Sequence, residues 1–117
     1  MLNKRDPLGF QYAFAGIYVA WNEEKNFKIQ IGCAAIAIFL AWFFGISRTE
    51  WMIVIFLIGF VLAAEALNTA LEELCDMYKT DLDPHIEKIK DLAAAAVLIS
   101  SITALIVGLF IFVPYLL

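Results

Sequence analysis

The chain has a single histidine and only two cysteines in 117 residues. Cys33 and Cys75 fall on different expected helices and form no C-x-x-C pair, so zinc and dithiol redox chemistry find no ligand set; both read as packing residues. His85, near an expected helix start, reads as a solvated surface residue rather than a catalyst. Charge is scarce too. Asp, Glu, Lys and Arg make up 17% of the chain, and a net charge of -4 spread along it gives no footprint for a nucleic-acid partner. The opening "MLNKRDP" leads into no short apolar core with a small-residue cleavage site, so no signal peptide is expected and the apolar segments stay in the chain. No internal repeat or low-complexity linker divides it.

What remains is apolar. Hydrophobic residues make up 63% of the sequence and the mean hydropathy is +0.84, values outside the range of soluble domains, so an integral membrane protein is expected. About 20 helical residues cross the roughly 30 Å hydrocarbon layer. The runs 29–47 and 92–117 carry no charge and are long enough. The run 51–64 spans only if its helix continues through Glu65, Asn68 and Leu71.

The expected fold is all-α: one integral membrane domain over 1–117, with a surface helix at about 7–27 and spans at about 29–47, 51–75 and 88–113. Asp-Pro at 6–7 and 83–84 marks two helix starts, with Asp as N-cap and Pro at the first helical position. After Pro7, a stripe of Phe10, Phe14, Ile17 and Trp21, flanked by Tyr12 and Tyr18, predicts a helix lying on the membrane surface; a fourth span is the alternative. The short link "SRTE" predicts a hairpin between the first two spans. Lys4, Arg5, Lys25, Lys28, Lys79, Lys88 and Lys90 fall on one side of the membrane and only Arg48 on the other. By the positive-inside rule the N-terminus and the 76–91 loop are expected in the cytoplasm.

The chemistry-bearing stretch is "EALNTALEELCD" at 65–76, at the end of the middle span. At about 100° per residue, Glu65, Asn68, Thr69, Glu72 and Asp76 share one helix face. Near its end lie Glu23 and Glu24 of the surface helix, and Lys90 and Asp91 where the last span opens. Terminal charges such as Glu73, Asp76, Lys79 and Glu87 read as wet or snorkelling helix ends. Glu65 and Asn68 lie one to two turns deeper, where an ionised side chain costs roughly 2.5 to 3.5 kcal/mol on insertion scales and is a functional candidate by default. As an ion path the stripe lacks a broken helix or inverted repeat. As an enzyme site its acids are hard oxygen ligands for Mg²⁺, which binds through one or two carboxylates together with substrate phosphates, and one further acid is a general base toward a lipid alcohol. There is no G-x-x-x-x-G-K-[ST] loop and no protein-kinase signature, so a nucleotide would need an unusual site. Composition leaves these readings open.

"EALNTALEELCD", with "KDLAAAAVLI" starting fourteen residues after Asp76, resembles the signature of the small prokaryotic diacylglycerol kinase and undecaprenol kinase family. "NEEKNFKI" at 22–29 and "FQYAFAGI" at 10–17 resemble its other two blocks, so the likeness covers essentially the whole chain. It implies a three-span enzyme of the inner (cytoplasmic) membrane with a surface helix, assembled as a homotrimer, that transfers the γ-phosphoryl of MgATP to a lipid hydroxyl. By the same resemblance Glu65 matches the catalytic base, Asn68 its orienting partner, Glu72 and Glu24 the metal ligands, and Lys90 and Asp91 the nucleotide-contacting pair. Arg5 and Tyr12 match ATP-contacting positions. Asp81 stands in the loop where the family often reads Glu-Tyr-His-Pro and this chain reads Asp81, Leu82, Asp83, Pro84. Ala94 and Ala95 stand where many members carry glycine. The lipid expected first is diacylglycerol, giving phosphatidic acid, with undecaprenol the alternative; a non-enzymatic ion-conducting membrane protein is the reading from another class. A trimer also suits the acids physically, since one three-span chain is not expected to shield so many of them from lipid.

Overall fold

Helix boundaries follow local chemistry at three of the turns. In the computed structural model, which describes residues 9–78 and 83–117, Gly9 takes a left-handed φ of 74° and α1 (Phe10–Glu23) follows it. The Asp-Pro start expected at 6–7, like Arg5 and Asp81, lies outside the described residues. Gly45, at φ 62°, ends α2 (Lys25–Phe44) with its N–H on the Ala41 and Trp42 carbonyls. Asp83 caps α4 (Pro84–Leu116) by accepting from the His85 N–H at 2.8 Å, with Pro84 in the first turn as expected.

The start of α3 (Arg48–Asp76) differs from expectation. "SRTE" is not the link: Arg48, Thr49 and Glu50 already belong to the helix, and the turn is the shorter 45–47. Ser47 Oγ accepts from the Glu50 N–H at 3.1 Å while Glu50 Oε1 accepts from the Ser47 N–H at 2.9 Å. This reciprocal capping box satisfies two otherwise unpaired donors.

The break between α1 and α2 also differs. The surface helix was expected to run to about 27, yet Glu24 is extended (φ -115°, ψ 107°), and α2 starts at Lys25. No glycine or proline stands there, so the cause is tertiary. Ala20 and Phe27 are buried on either side of the break, and α1 touches both α2 and α3.

Helices α2, α3 and α4 are long and apolar enough to cross a membrane. At 1.5 Å per residue, α3 with its 29 residues is roughly 43 Å long and α4 with 33 roughly 50 Å, both longer than the hydrocarbon layer. The 14 residues of α1 reach only about 21 Å, too short to span. Its stripe of Phe10, Phe14, Ile17 and Trp21 is exposed throughout, as a helix lying on a bilayer requires.

The three long helices pack antiparallel in sequence order. Lys90 meets Asp76 at one end, and the Tyr115 hydroxyl donates to Glu50 at the other. The closest apolar packing is at the Glu50 end, where Ala41, Ile46, Val54 and Ile111 form a buried cluster flanked by Phe44, Trp51 and Phe112. Toward the Asp76 end, polar side chains join the buried positions. Glu65 and Ser100 are the largest fully buried side chains of the described residues, and Asn68 is buried beside them. Outside, Phe39, Trp42, Phe56 and Phe110 are well exposed, an apolar surface suited to lipid or to another membrane helix.

Candidate active site

Counting 20 residues from Glu50 puts the opposite hydrocarbon boundary near residue 70 of α3. Glu65 therefore lies inside it and Glu72 and Asp76 at or beyond it. Burial follows the same gradient along the stripe: Glu65 is 1% exposed and Asn68 8%, Thr69 and Glu72 are half-buried, and Asp76 is exposed. One chain already encloses its deepest acid. The expectation that a single chain shields too little is thus corrected for Glu65 and Asn68, because α2 and α4 close over that face; it stands for the shallower acids.

The break at Glu24 delivers a carboxylate to the stripe. Thr69 Oγ1 shares its one proton between Glu24 Oε2 at 3.1 Å and the Glu65 carbonyl oxygen at 3.0 Å. Glu24 and Glu72 lie close enough to Glu65 for their charges to act on it. Glu23, one residue earlier, is exposed. Two acids of α3 and one from the α1–α2 break thus converge, and only Glu65 among them is fully sheltered.

Three buried oxygens in this half of the molecule have no hydrogen-bond partner among the described residues: Glu65 Oε1, Asn68 Oδ1 and Tyr12 Oη. A buried polar atom without a partner costs about 1 to 3 kcal/mol, so these atoms call for a ligand, water or a neighbouring group. Asn68 is one turn from Glu65 on the same face. Lys90 Nζ bonds Asp76 Oδ1 at 2.9 Å above the site, and Asp91 next to it is exposed.

From this polar end an apolar groove of about 480 Å³ runs between α2 and α4 over α3. Val61, Leu62, Ala104 and Leu105 line its middle and Phe112 and Leu116 its far part, while Gln30 and Ser101 stand at its polar end. Gln30 Nε2 donates to Ser101 Oγ at 3.2 Å. Sequence reading passed over both residues. The available signal was Gln30 itself, the one amide in the apolar run 29–47.

A row of acids that runs from exposed to buried, an enclosed carboxyl and a nearby apolar groove fit chemistry on a membrane lipid. The family model for prokaryotic diacylglycerol kinase matches residues 11–112. The chain belongs to this family. Among curated relatives, an undecaprenol kinase of Bacillus subtilis is 35% identical over 105 residues, covering 90% of this chain and 85% of that protein. A diacylglycerol kinase of Synechocystis is 33% identical over 111 residues, covering 94% of this chain and 63% of that protein. The diacylglycerol kinase of Escherichia coli K12 is 27% identical over 95 residues, covering 81% and 78%.

As a family member the chain is a multi-pass membrane lipid kinase, and membership implies ATP as the phosphate donor. Of the residues the family resemblance singled out, Glu65, Asn68, Glu72 and Glu24 come together around one buried carboxyl. Lys90 and Asp91 sit above them, at the start of α4. Tyr12 is half-buried on α1, with its hydroxyl enclosed. Among the described residues no group of three or more His, Cys, Asp or Glu side chains forms a metal cage by itself.

Proposed function

We propose that this kinase transfers the γ-phosphoryl group of MgATP to the hydroxyl of a long-chain membrane alcohol, with Glu65 as general base. The observation that carries this reading is the Glu65 carboxyl: 1% exposed, with Oε1 unpartnered, at the level of Gln30 and Ser101, which line the polar end of an apolar groove. An alcohol entering from the bilayer brings its hydroxyl to that level while its chains stay apolar. Glu65 accepts the hydroxyl proton as the alcohol oxygen attacks, and Asn68 orients the hydroxyl. Glu24 and Glu72 would hold Mg²⁺ against the triphosphate, and the ion would neutralise charge spread over the transferred group. Lys90 and Asp91 contact the nucleotide at the open end, with Tyr12 of α1 and, by the family resemblance, Arg5 and Asp81 as further contacts.

For the acceptor we place undecaprenol ahead of diacylglycerol, reversing the preference from sequence alone. Two things support this order: the undecaprenol kinase has the higher identity of the relatives above, and this chain covers 85% of it against 63% of the Synechocystis diacylglycerol kinase. Diacylglycerol, which would give phosphatidic acid, is the second reading and rests on the names of the family and of the Synechocystis and Escherichia coli relatives. The cations favour the cytoplasmic membrane with the site facing the cytoplasm. Lys25, Lys28, Lys88 and Lys90 lie at the site end of the helices and Arg48 at the other.

The test is a labelled-phosphate assay with purified protein in mixed micelles, offering undecaprenol and diacylglycerol separately, with and without Mg²⁺. The reading expects Mg²⁺-dependent phosphorylation, faster on undecaprenol, and a loss of about 10² to 10⁴ in kcat in Glu65→Gln. Near-normal turnover by folded Glu65→Gln would remove the base from the scheme. Faster turnover on diacylglycerol would exchange the two acceptors.

A further inference from the structure

Three helices meet at the level of Glu65. Asp76 of α3 pairs with Lys90 of α4 at 2.9 Å. Glu65 lies eleven residues down α3 from Asp76, and Ser101 eleven residues along α4 from Lys90. The helices are antiparallel with the same rise, so Glu65 and Ser101 share one level, roughly 16 Å from the ion pair. Gln30 of α2 reaches the same level, where its Nε2 donates to Ser101 Oγ at 3.2 Å. The Gln30 side chain is also placed to hydrogen-bond with the carboxyl group of Glu65.

An amide carries two N–H donors and one acceptor. With one donor held by Ser101, the side chain cannot swing freely, and its second N–H remains for the carboxyl group at the same level. Glu65 has two carboxyl oxygens, and Oε1 keeps no partner among the described residues. A neutral amide can fix a carboxyl group without neutralising it, as a lysine or arginine would. Gln30 and Ser101 also close the polar end of the groove, whose remaining lining carries no other oxygen or nitrogen side chain.

We propose that Gln30, anchored by Ser101, is a positioning residue for phosphoryl transfer: it holds the Glu65 carboxyl in one orientation, with the unpartnered Oε1 left to accept from the acceptor hydroxyl. This rests on the reading of Glu65 as the base. Gln30 itself exchanges no proton with substrate. Its effect is geometric, and misplacing a catalytic group by about 1 Å costs on the order of 100-fold in rate.

The experiment measures kcat and both KM values in mixed micelles for Gln30→Leu, Ser101→Ala and Ser101→Thr. It repeats Gln30→Leu in a Glu65→Asp background, where the carboxyl is one methylene short of the amide. Gln30→Leu is expected to lower kcat by about 100-fold, with the KM for MgATP and for lipid within twofold. Ser101→Ala should lower kcat less, and Ser101→Thr, which keeps the hydroxyl, should restore it. In the Glu65→Asp background Gln30→Leu should add no further loss, as expected of residues acting through one contact. Wild-type kcat in Gln30→Leu, or its full loss repeated in the Glu65→Asp background, overturns the proposal. If Gln30→Leu does not fold, the two Ser101 variants decide: equal kcat in both overturns it. Glu65→Gln, assayed beside them, tests the base separately, so a failed base and a failed positioning role give different patterns.

Discussion

Thr69 Oγ1 lies 3.1 Å from Glu24 Oε2, and this one hydrogen bond joins the break between α1 and α2 to the acid face of α3. The extended residue at the break is thereby tied to the wall of the site. Without the bond, Glu24 would be an ordinary residue at a helix start, free to turn to water. With it, a carboxylate from the surface layer is held against the stripe that contains Glu65 and Glu72.

Thr69→Val keeps the shape of the side chain and removes the donor, leaving Glu24 without its partner. A residue that orients a metal ligand typically contributes 10- to 100-fold in metal affinity. The half-saturating Mg²⁺ concentration in the kinase assay should rise by about 10-fold in Thr69→Val and return toward wild type in Thr69→Ser. Equal Mg²⁺ dependence in Thr69→Val and wild type would mean that Glu24 needs no orientation from α3.

Adjacent Glu23 and Glu24 offer an internal control. Glu24 is half-buried against Thr69, while Glu23 is exposed. Glu24→Gln should lose at least 10-fold in kcat/KM for MgATP, and Glu23→Gln should stay within about twofold. Chelating Mg²⁺ should abolish turnover in all three proteins. An equal loss in the two variants would assign the ligand to the general charge of the segment rather than to Glu24.

The number and type of helices were legible because hydropathy runs of membrane length leave few alternatives, and the Asp83-Pro84 start was legible because cap chemistry is local. The face shared by Glu65, Asn68, Thr69 and Glu72 followed from helical periodicity alone. The break at Glu24 was not legible: Asn22, Glu23, Glu24 and Lys25 contain no glycine or proline, and the Thr69 hydroxyl that holds Glu24 lies 45 positions away. Gln30 and Ser101 were hidden for a related reason. Gln30 reads as an isolated polar residue in an apolar run and Ser101 as half of a serine pair with Ser100, and only the antiparallel register of three helices brings them to the level of Glu65. The Ser47 start was present as S-x-x-E but was read as part of a longer link, because the charges of Arg48 and Glu50 suggested a loop.

That capping box belongs to a larger contact at the far end of the bundle. The Tyr115 hydroxyl donates to the same Glu50 carboxylate, and its ring stacks on Phe44 with centroids 5.9 Å apart. The ends of α2 and α4 are thus joined to the start of α3, on the opposite side of the membrane from the acids. Ser47→Ala should cost about 1 kcal/mol of stability through loss of the cap. Tyr115→Phe should lower the thermal midpoint in detergent while keeping the stacking. Both should retain wild-type kcat, and a 10-fold fall in kcat in either folded variant would show that this end is coupled to the site.

The homotrimer expected from the family resemblance has a physical rationale that now needs restating. It is not required to bury Glu65, which one chain encloses, but Glu72 and Glu24 are only partly covered, and Asp76 and Asp91 are exposed. These acids lie near the hydrocarbon boundary, where lipid contact is costly and protein contact is not. Large side chains such as Phe39, Trp42 and Phe56 on α2 and α3 provide apolar area for such packing without an added polar penalty. Native mass spectrometry of the detergent-solubilised kinase should therefore give three chains per particle. Glu65→Gln should give the same mass, because that acid is shielded within its own chain. Fully active monomers would remove the trimer from the scheme and leave lipid headgroups and water as the only cover for the shallower acids.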